Sequence, residues 1–318
     1  MIESVKVAVI GTGNNISALV QGIALYRATG SLVGVRTPVL DGLGVGDIEF
    51  VAAFAISPEN IGRDLTDTIF LPPNNFPRRT AELPLSGVMV RRGLTDATEV
   101  DRVAAELAGA EVVLYAAPSG RPETARAYAE ATLHAGAAFI NSTSDAVARD
   151  QHYLDRFITA GLPLLGDDLT SQFGTSVVHH ALLRLLEERG LTLTSSYQVN
   201  LGGTEDFRNL VEHSNTKLQS KLNALATDGA ATGRVQVAPL GYLSHLNSHK
   251  VAHINIEAQA WGDTPVSLDV KLKVHDPSGA AGVTIDLIRM AASALRQGRA
   301  GYPAAATPLL KSPPGTPA

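Results

Sequence analysis

The stretch that most limits what this chain can become lies near its amino terminus. Val5-Lys-Val-Ala-Val-Ile10 is rich in β-branched residues and breaks at Gly11-Thr12-Gly13. It passes straight into the amphipathic run Asn14-Asn15-Ile-Ser17-Ala-Leu-Val-Gln21-Gly22. A strand, a glycine turn and a helix in this order let the backbone approach a phosphate and aim helix N–H groups at it. The third glycine of the usual G-x-G-x-x-G pattern is missing, because Ile16 stands there. The turn points to a dinucleotide; the competing reading is a plain buried α/β strand.

Beyond this first unit the strand–helix alternation repeats. Glu49-Phe-Val-Ala-Ala-Phe-Ala55, Glu111–Ala117, Ala137–Ser142 and Leu162–Asp168 are nearly continuous apolar runs, as strands covered on both faces require. Helical patterns over Thr98–Leu107 and Glu123–Ala135 lie between them, another over Gly174–Arg189 follows the last, and residues 71–97 read as a polar loop over the nucleotide. The expectation is a Rossmann-like, doubly wound α/β fold with a mostly parallel sheet, its ligand at the carboxyl ends of the strands. That rule gathers Gly11, Thr12, Gly13, Asn14, Asn15, Ser57, Pro118, Ser119, Asn141, Ser142, Asp167 and Asp168 at one cofactor crevice.

The grammar changes near residue 191. Leu193–Leu201 reads as a strand and Ser214–Ala226 as a short helix. Lys250–Ala260 and Ser267–Val274 alternate apolar and polar residues around Gly262-Asp263-Thr264-Pro265, as two antiparallel strands with one buried face do. A long helix follows over Gly279–Arg296, and the tail from Ser312 reads as a disordered end. The expected division is a nucleotide domain of residues 1–192 plus 297–318, and an inserted α+β domain of residues 193–296.

Composition narrows the function. The 318 residues are 45% hydrophobic and 18% charged with a net charge of −5, which argues against a nucleic-acid partner. There is no cysteine, so there is no thiolate metal site or cysteine nucleophile. No charged-then-apolar leader and no membrane-length run are visible, so a soluble cytoplasmic protein without a membrane partner is expected. Six of the seven lysines (Lys217, Lys221, Lys250, Lys271, Lys273, Lys311) lie in the last third, whereas nineteen arginines serve elsewhere. An ammonium can shift its pKa and exchange a proton; a guanidinium cannot. Lys217 and Lys221 share a helix face at i, i+4, a repulsion that an anion site would use.

In this order and spacing the motifs resemble the myo-inositol-phosphate synthases, especially their shorter bacterial and archaeal form. They are Gly11-Thr-Gly13-Asn14-Asn15, Phe50-Val-Ala-Ala-Phe with Ile61-Gly-x-Asp64-Leu, and Gly166-Asp167-Asp168-Leu-x-Ser171-Gln172. Asn200-Leu-Gly-Gly203-x-x-Asp206-Phe-x-Asn209, Lys217-x-x-Ser220-Lys221, Asp276–Asp286 and Leu310-Lys311-Ser312-Pro313 complete the set. The resemblance implies an NAD-dependent isomerase that oxidises C5 of glucose 6-phosphate, enolises at C6, closes the ring by an aldol attack on C1 and reduces the ketone again. It implies Lys217, Lys221, Lys250, Lys311, Asp168 and Asp276 as catalytic residues, and Asp206, Asn209, Lys217 and Lys250 as contacts to a phosphorylated sugar. It also implies a homo-oligomer, a tetramer; the residues themselves suggest no metal ligand set.

The residues keep plainer alternatives beside these roles. Asp168 and Asp276 both sit where helix N-caps do. Lys271 and Lys273 read as surface charge, His179 and His180 as packing, His253 as a polar-face residue. Three positions depart from the family pattern. Ala55 stands where an acid should grip the adenosine ribose; Ser57 is the nearest substitute, and NADP stays open beside NAD, although no arginine directly follows the strand. Thr170 replaces a lysine, and Thr204-Glu205 alter the loop before Asp206. These changes suggest a relative that closes another sugar phosphate, such as fructose 6-phosphate, to a five-membered ring for secondary metabolism. The non-enzyme alternative is a nucleotide-sensing binding protein.

Overall fold

The computed structural model describes residues 3–80, 82–212, 221–225, 234–238 and 241–316. The first sheet is built from β1 (Val5–Ile10), β4 (Ile48–Ala55), β5 (Val90–Arg92), β6 (Val112–Tyr115), β7 (Ala138–Asn141) and β8 (Leu164–Leu165). A short hairpin of β2 (Val39–Leu40) and β3 (Leu43–Gly44) precedes β4. The six strands run parallel in the order β5-β4-β1-β6-β7-β8. This is the doubly wound arrangement, whose order reverses beside β1, so that a crevice opens at the carboxyl end of β1. β1 is almost wholly buried because helices cover both faces.

On one face lie α1 (Asn14–Thr29) and the long α8 (Asp276–Arg296), whose Val283, Leu287, Ile288 and Ala291 share a core with Val7, Val9 and Ile140. The other face is covered by α3 (Val100–Glu106), α4 (Pro122–Ala135) and α5 (Gln151–Thr159) through Val103, Ala125, Ala129 and Phe157. α8, grouped above with the inserted domain, therefore packs on the nucleotide sheet. Its fully buried Arg289 donates to the carbonyls of Thr37, Pro38 and Leu43 and to Asp286, tying α8 to the hairpin loop.

A second sheet holds β9 (Thr192–Gly202), β10 (Val235–Val237), β11 (Gly241–Tyr242), β12 (His249–Gln259) and β13 (Pro265–His275). β12 pairs antiparallel with β9 on one side and β13 on the other, while β10 and β11 run parallel to β9. α6 (Thr175–Glu188) covers one face through Leu183 against Ile254 and Ile256, and the alternation expected for β12 is seen. The apolar row of β13 is less covered than expected: Val266 and Leu268 are 37% and 39% exposed, because β13 is the open edge and α6 lies over β9 and β12. The elements that add to the sequence reading are α2 (Leu65–Thr68), α5, α7 (Glu205–Glu212) and the strands β2, β3, β5, β10 and β11. Of the helix expected over Ser214–Ala226, residues 221–225 are described and helical. Among the described residues no helix is long and apolar enough to cross a membrane.

Candidate active site

The glycine turn lies where the fold places a ligand. Gly11 has φ +101°, and a Cβ there would come within 2.7 Å of the Ala116 carbonyl oxygen, so only glycine lets β1 end this close to β6. A Cβ on Gly13 would meet nothing within 4 Å, which leaves open space in front of α1. Gly13 caps α1 without a side-chain hydrogen bond, and the first turn carries no acid. Its N–H groups and positive dipole end stay available to an anion. The turn fits a dinucleotide pyrophosphate.

Thr12 and Asn14 support this turn from behind. Thr12 Oγ1 accepts from Asn60 Nδ2 at 2.9 Å, and Thr12 O accepts from Asn74 Nδ2 at 2.7 Å. Asn14 Oδ1 accepts from the backbone N–H groups of Asn75 and Phe76, each at 2.9 Å. The loop expected over the nucleotide is thus pinned across the turn, and Asn75 Nδ2 carries it on to Gly203 O at 2.9 Å in the second sheet's territory. Asn15 is exposed on the first turn.

On the other side of the crevice the chain's end returns. Leu169 and Leu310 form an antiparallel bridge, flanked by Lys311 N–H donating to Asp168 O and Thr170 N–H to Leu309 O. This pairing carries Lys311 Nζ to 2.9 Å from Asp168 Oδ1, with the side chains only 12% and 2% exposed. Asp168 sits at φ +57° just past β8. It makes an ion pair, and the helix that follows, Thr175–Glu188, is capped by Gly174, so the helix-cap alternative is set aside. Ser312, expected in a disordered tail, is fully buried and exchanges backbone hydrogen bonds with Asp167. Asn223 Nδ2 reaches Ser312 Oγ at 3.3 Å and brings the 221–225 turn beside Lys311; Lys221 there is 7% exposed. Lys217 lies outside the described residues.

The second sheet supplies another pair. Lys250 near the start of β12 donates its ammonium to Asp276 Oδ1 in the first turn of α8, and Ser171 Oγ donates to the same oxygen at 3.3 Å. Asp276 follows the cap residue His275 and serves as a lysine partner, not as the N-cap. Lys271 and Lys273 are exposed along β13, as surface charge should be. Two lysine–aspartate pairs, each bridging distant segments, thus flank the carboxyl end of the parallel sheet.

Three residues expected at the cofactor face inward. Asp167 is fully buried and accepts from Asn141 Nδ2 and from the backbone N–H groups of Val147, Ala148 and Arg149. Burial pushes its carboxyl up to about 6 despite these donors and the Arg149 guanidinium. Asn141 Nδ2 also donates to Asp145 O, and its Oδ1 accepts from Thr143. Ser142 Oγ donates to Tyr115 O at 2.6 Å. Their side chains build the loop after β7. Asp145, which the sequence reading missed, accepts from the N–H groups of Gly120 and Arg121 and so shapes the Pro118–Gly120 loop. Pro118 is exposed at that loop and Ser119 is buried beneath it.

This arrangement has relatives. A profile of the family described as Myo-inositol-1-phosphate synthase matches residues 174–277. Inositol-3-phosphate synthase of Mycolicibacterium smegmatis is 35% identical over 339 residues, covering 98% of this chain and 93% of the relative. The chain belongs to the inositol-phosphate synthase family. The Corynebacterium glutamicum inositol-3-phosphate synthase is 34% identical over 98% of this chain and 94% of its own. The crystal structure of Ari2 superposes with a TM-score of 0.87 at 50% identity, covering 99% of this chain and 94% of that one. A synthase-related protein of Thermotoga maritima shares the fold, with a TM-score of 0.79 at 22% identity over 98% and 93% of the two chains.

Against the family pattern the ribose end stands apart. Ser57 Oγ donates to Glu59, an exposed carboxylate two residues further along the loop. The Ser57 hydrogen bond holds the Glu59 carboxyl below its usual range. An arginine is present after all, on the neighbouring strand: β5 sets Arg92 abreast of Ala55, with its guanidinium on Glu99. Asn209 on α7 donates to Ser119 O at 2.8 Å and draws α7 over the cofactor loop, while Asp206 is exposed on the first turn. Thr170 is 8% exposed beside the Asp168–Lys311 pair. His179 is internal, with Nε2 2.6 Å from Ser196 Oγ, and burial lowers it to about 4. His253 is exposed. Among the described residues no group of acids and histidines could hold a metal.

Proposed function

We propose that this chain is an NAD-dependent intramolecular aldol cyclase that closes a hexose 6-phosphate to a phosphorylated cyclitol. The leading case is D-glucose 6-phosphate to 1D-myo-inositol 3-phosphate. The observation that carries the reading is the return of Lys311 onto Asp168 opposite the glycine turn, which sets a fixed ammonium where a cofactor and a sugar would meet. Gly11, Thr12, Gly13, Asn14 and Asn15 would hold the pyrophosphate, with Ser57 and Glu59 toward the ribose and the loops of Ser119 and Ser142 at the rim. When bound, NAD supplies a reversible two-electron oxidation of the C5 carbinol.

The chain's own residues do the rest. Losing a proton from C6 puts negative charge on the C5 oxygen, and aldol closure puts it on the former aldehyde oxygen. Fixed cations in a site shut from water stabilise such charge best, and lysines can also hand over a proton. Lys311, oriented by Asp168, and Lys250, oriented by Asp276, take these roles with Lys221 and Lys217. Asp206, Asn209, Lys217 and Lys250 hold the substrate. We assign the enzyme to the cytoplasm as a homotetramer; the half-exposed apolar row of β13 suits burial against another copy.

A second reading is favoured by Thr170. A buried threonine where the family carries a lysine removes a cation beside Asp168, so the pocket reads a different sugar, for instance fructose 6-phosphate closed to a five-membered ring. Incubation with NAD and each sugar phosphate in turn, with products identified by mass and NMR, separates the two. Either cyclase leaves nicotinamide absorbance unchanged at the end. Cyclised product from neither sugar would sink both readings and favour a binding protein.

A further inference from the structure

Both members of the Lys250–Asp276 pair are preceded by a histidine. His249 stands before Lys250 on β12, and His275 before Asp276 where β13 passes into α8. Strand register sets the two histidines directly opposite one another, and their rings stack with centroids 3.9 Å apart and planes 35° from parallel. Side chains alternate along paired strands. Lys250 and Asp276 meet on one face of the sheet, so His249 and His275 back them from the other.

Ser248 ties the rings to the ion pair. Its buried hydroxyl lies 2.8 Å from His275 Nδ1, and its carbonyl accepts from the Asp276 N–H at 3.3 Å. His249 Nδ1 lies 3.1 Å from the Leu246 carbonyl, which can only accept, so this nitrogen carries a proton. Phe76, in the loop pinned across the glycine turn, meets His275 edge-on at 6.3 Å. The charged groups that bear on His275 are His249 on β12, Arg79 on that loop and Lys273 on β13, and each can add only positive charge. Burial lowers the His275 pKa from 6.5, and these three lower it further. Asp276 is the adjoining carboxylate, and Lys250 holds it. Neutral rings stack favourably, whereas two imidazolium rings at this spacing repel.

We propose that His249 and His275 are positioning residues that hold the Lys250–Asp276 pair in its working geometry while both rings are neutral, and release it when they are charged. A positive charge beside Asp276 competes with the Lys250 ammonium for the carboxylate. Repulsion between the rings also strains the Ser248 bonds at the end of the β12–β13 ladder. Turnover is therefore supported at pH values above the titration of the rings and is lost as pH falls through it. The role rests on the cyclase reading for the part that Lys250 plays.

The test compares wild type with His275→Asn, which keeps a hydrogen-bonding group for Ser248 but cannot charge, and with His275→Lys, which stays charged throughout. kcat/KM on the sugar phosphate that wild type cyclises is followed from about pH 8 down to about pH 5, with urea unfolding to show that each protein remains folded. A substrate phosphate with a second pKa of about 6 titrates alike in all three proteins, so the difference between profiles carries the result. The fall in kcat/KM across this range should be at least about fivefold larger in wild type than in His275→Asn, and His275→Lys should lie at least about tenfold below wild type at the alkaline end. Superimposable profiles for wild type and His275→Asn would show rings that only pack at the strand ends and overturn the proposal, as would wild-type kcat/KM in a folded His275→Lys. Where His275→Lys does not fold, His275→Asn decides alone. Should wild type bind a hexose 6-phosphate without closing it, the cyclase reading fails. Calorimetric affinity for that sugar phosphate over the same pH range, in wild type and His275→Asn, then decides the role of the rings by the same comparison.

Discussion

Lys311 and Asp168 lie 143 positions apart, yet their side chains meet at 2.9 Å with scarcely any contact with solvent. Backbone pairing of the returning chain with residues 167–170 fixes both ends of this contact, so the ammonium is held before any substrate arrives. Preorganised charge of this kind acts without reorganisation during the reaction.

Removing that ammonium leaves a carboxylate in a buried place. Lys311→Met should lower stability by about 3 kcal/mol, as breaking one side of a buried pair does. Its cyclisation rate should fall at least about 100-fold. Asp168→Asn should fold well, because the amide still accepts from Lys311, but should lose comparable activity. Urea titration and a product assay read both; a Lys311→Met enzyme that turns over at the wild-type rate would remove Lys311 from the chemistry.

Lys250 separates charge from proton exchange. Lys250→Arg keeps a cation for Asp276, whereas a guanidinium cannot give up its proton. An unchanged melting temperature with kcat reduced by about 100-fold is expected if the lysine exchanges a proton during turnover. If arginine restores full kcat, Lys250 acts as a fixed charge alone.

Much of this architecture is legible in the chain. Continuous apolar runs such as Phe50–Ala55 announce strands covered on both faces, and the parallel sheet follows. The three residues of β5 are too short to leave a periodic signal, and α5, although amphipathic, has only nine residues. The late lysines stand out against an arginine-rich background, and three of the four lysines read as catalytic fall on described residues at or beside the crevice. The side chains of Asn141 and Asp167 turn into the loop after β7 for a physical reason. A polar residue at a strand's carboxyl end looks the same whether it meets a ligand or a loop, and the donors that hold Asp167 are backbone N–H groups with no sequence signature. Arg92 escapes a reading of the sequence because strand pairing, not sequence proximity, sets it beside Ala55.

That pairing makes cofactor choice testable. With alanine at the end of β4 the carboxylate that would repel a 2′-phosphate from that position is gone, Glu59 lies further along the loop, and Arg92 offers a cation nearby. Ala55→Asp should tighten NAD binding by about tenfold through the ribose hydroxyls while weakening NADP binding. Calorimetric titration of each dinucleotide measures this without turnover. Equal changes for both cofactors would mean that Ala55 does not face the ribose.

Acid sensitivity should trace to His179. Its ring is fully buried between α6 and β9, where Ser196 Oγ donates to Asn255 O and so can only accept from Nε2. Burial holds the imidazole neutral and lowers its pKa from 6.5 to about 4, with the neighbouring His180 adding to the effect. The unfolded chain takes up a proton as pH falls through 6.5, and the folded one does not until about 4. In that window the unfolded state binds more protons, so stability is full above pH 6.5 and is lost progressively as pH falls toward 4. The loss should total about 3 kcal/mol. Urea unfolding between pH 7.5 and about 4.5 should show this slope in wild type and a flatter one in His179→Gln, which cannot charge. Parallel slopes in the two proteins would place the acid sensitivity elsewhere, with the buried Asp167 carboxyl excluded by sign: raised to about 6, it makes stability fall as pH rises from 3.8.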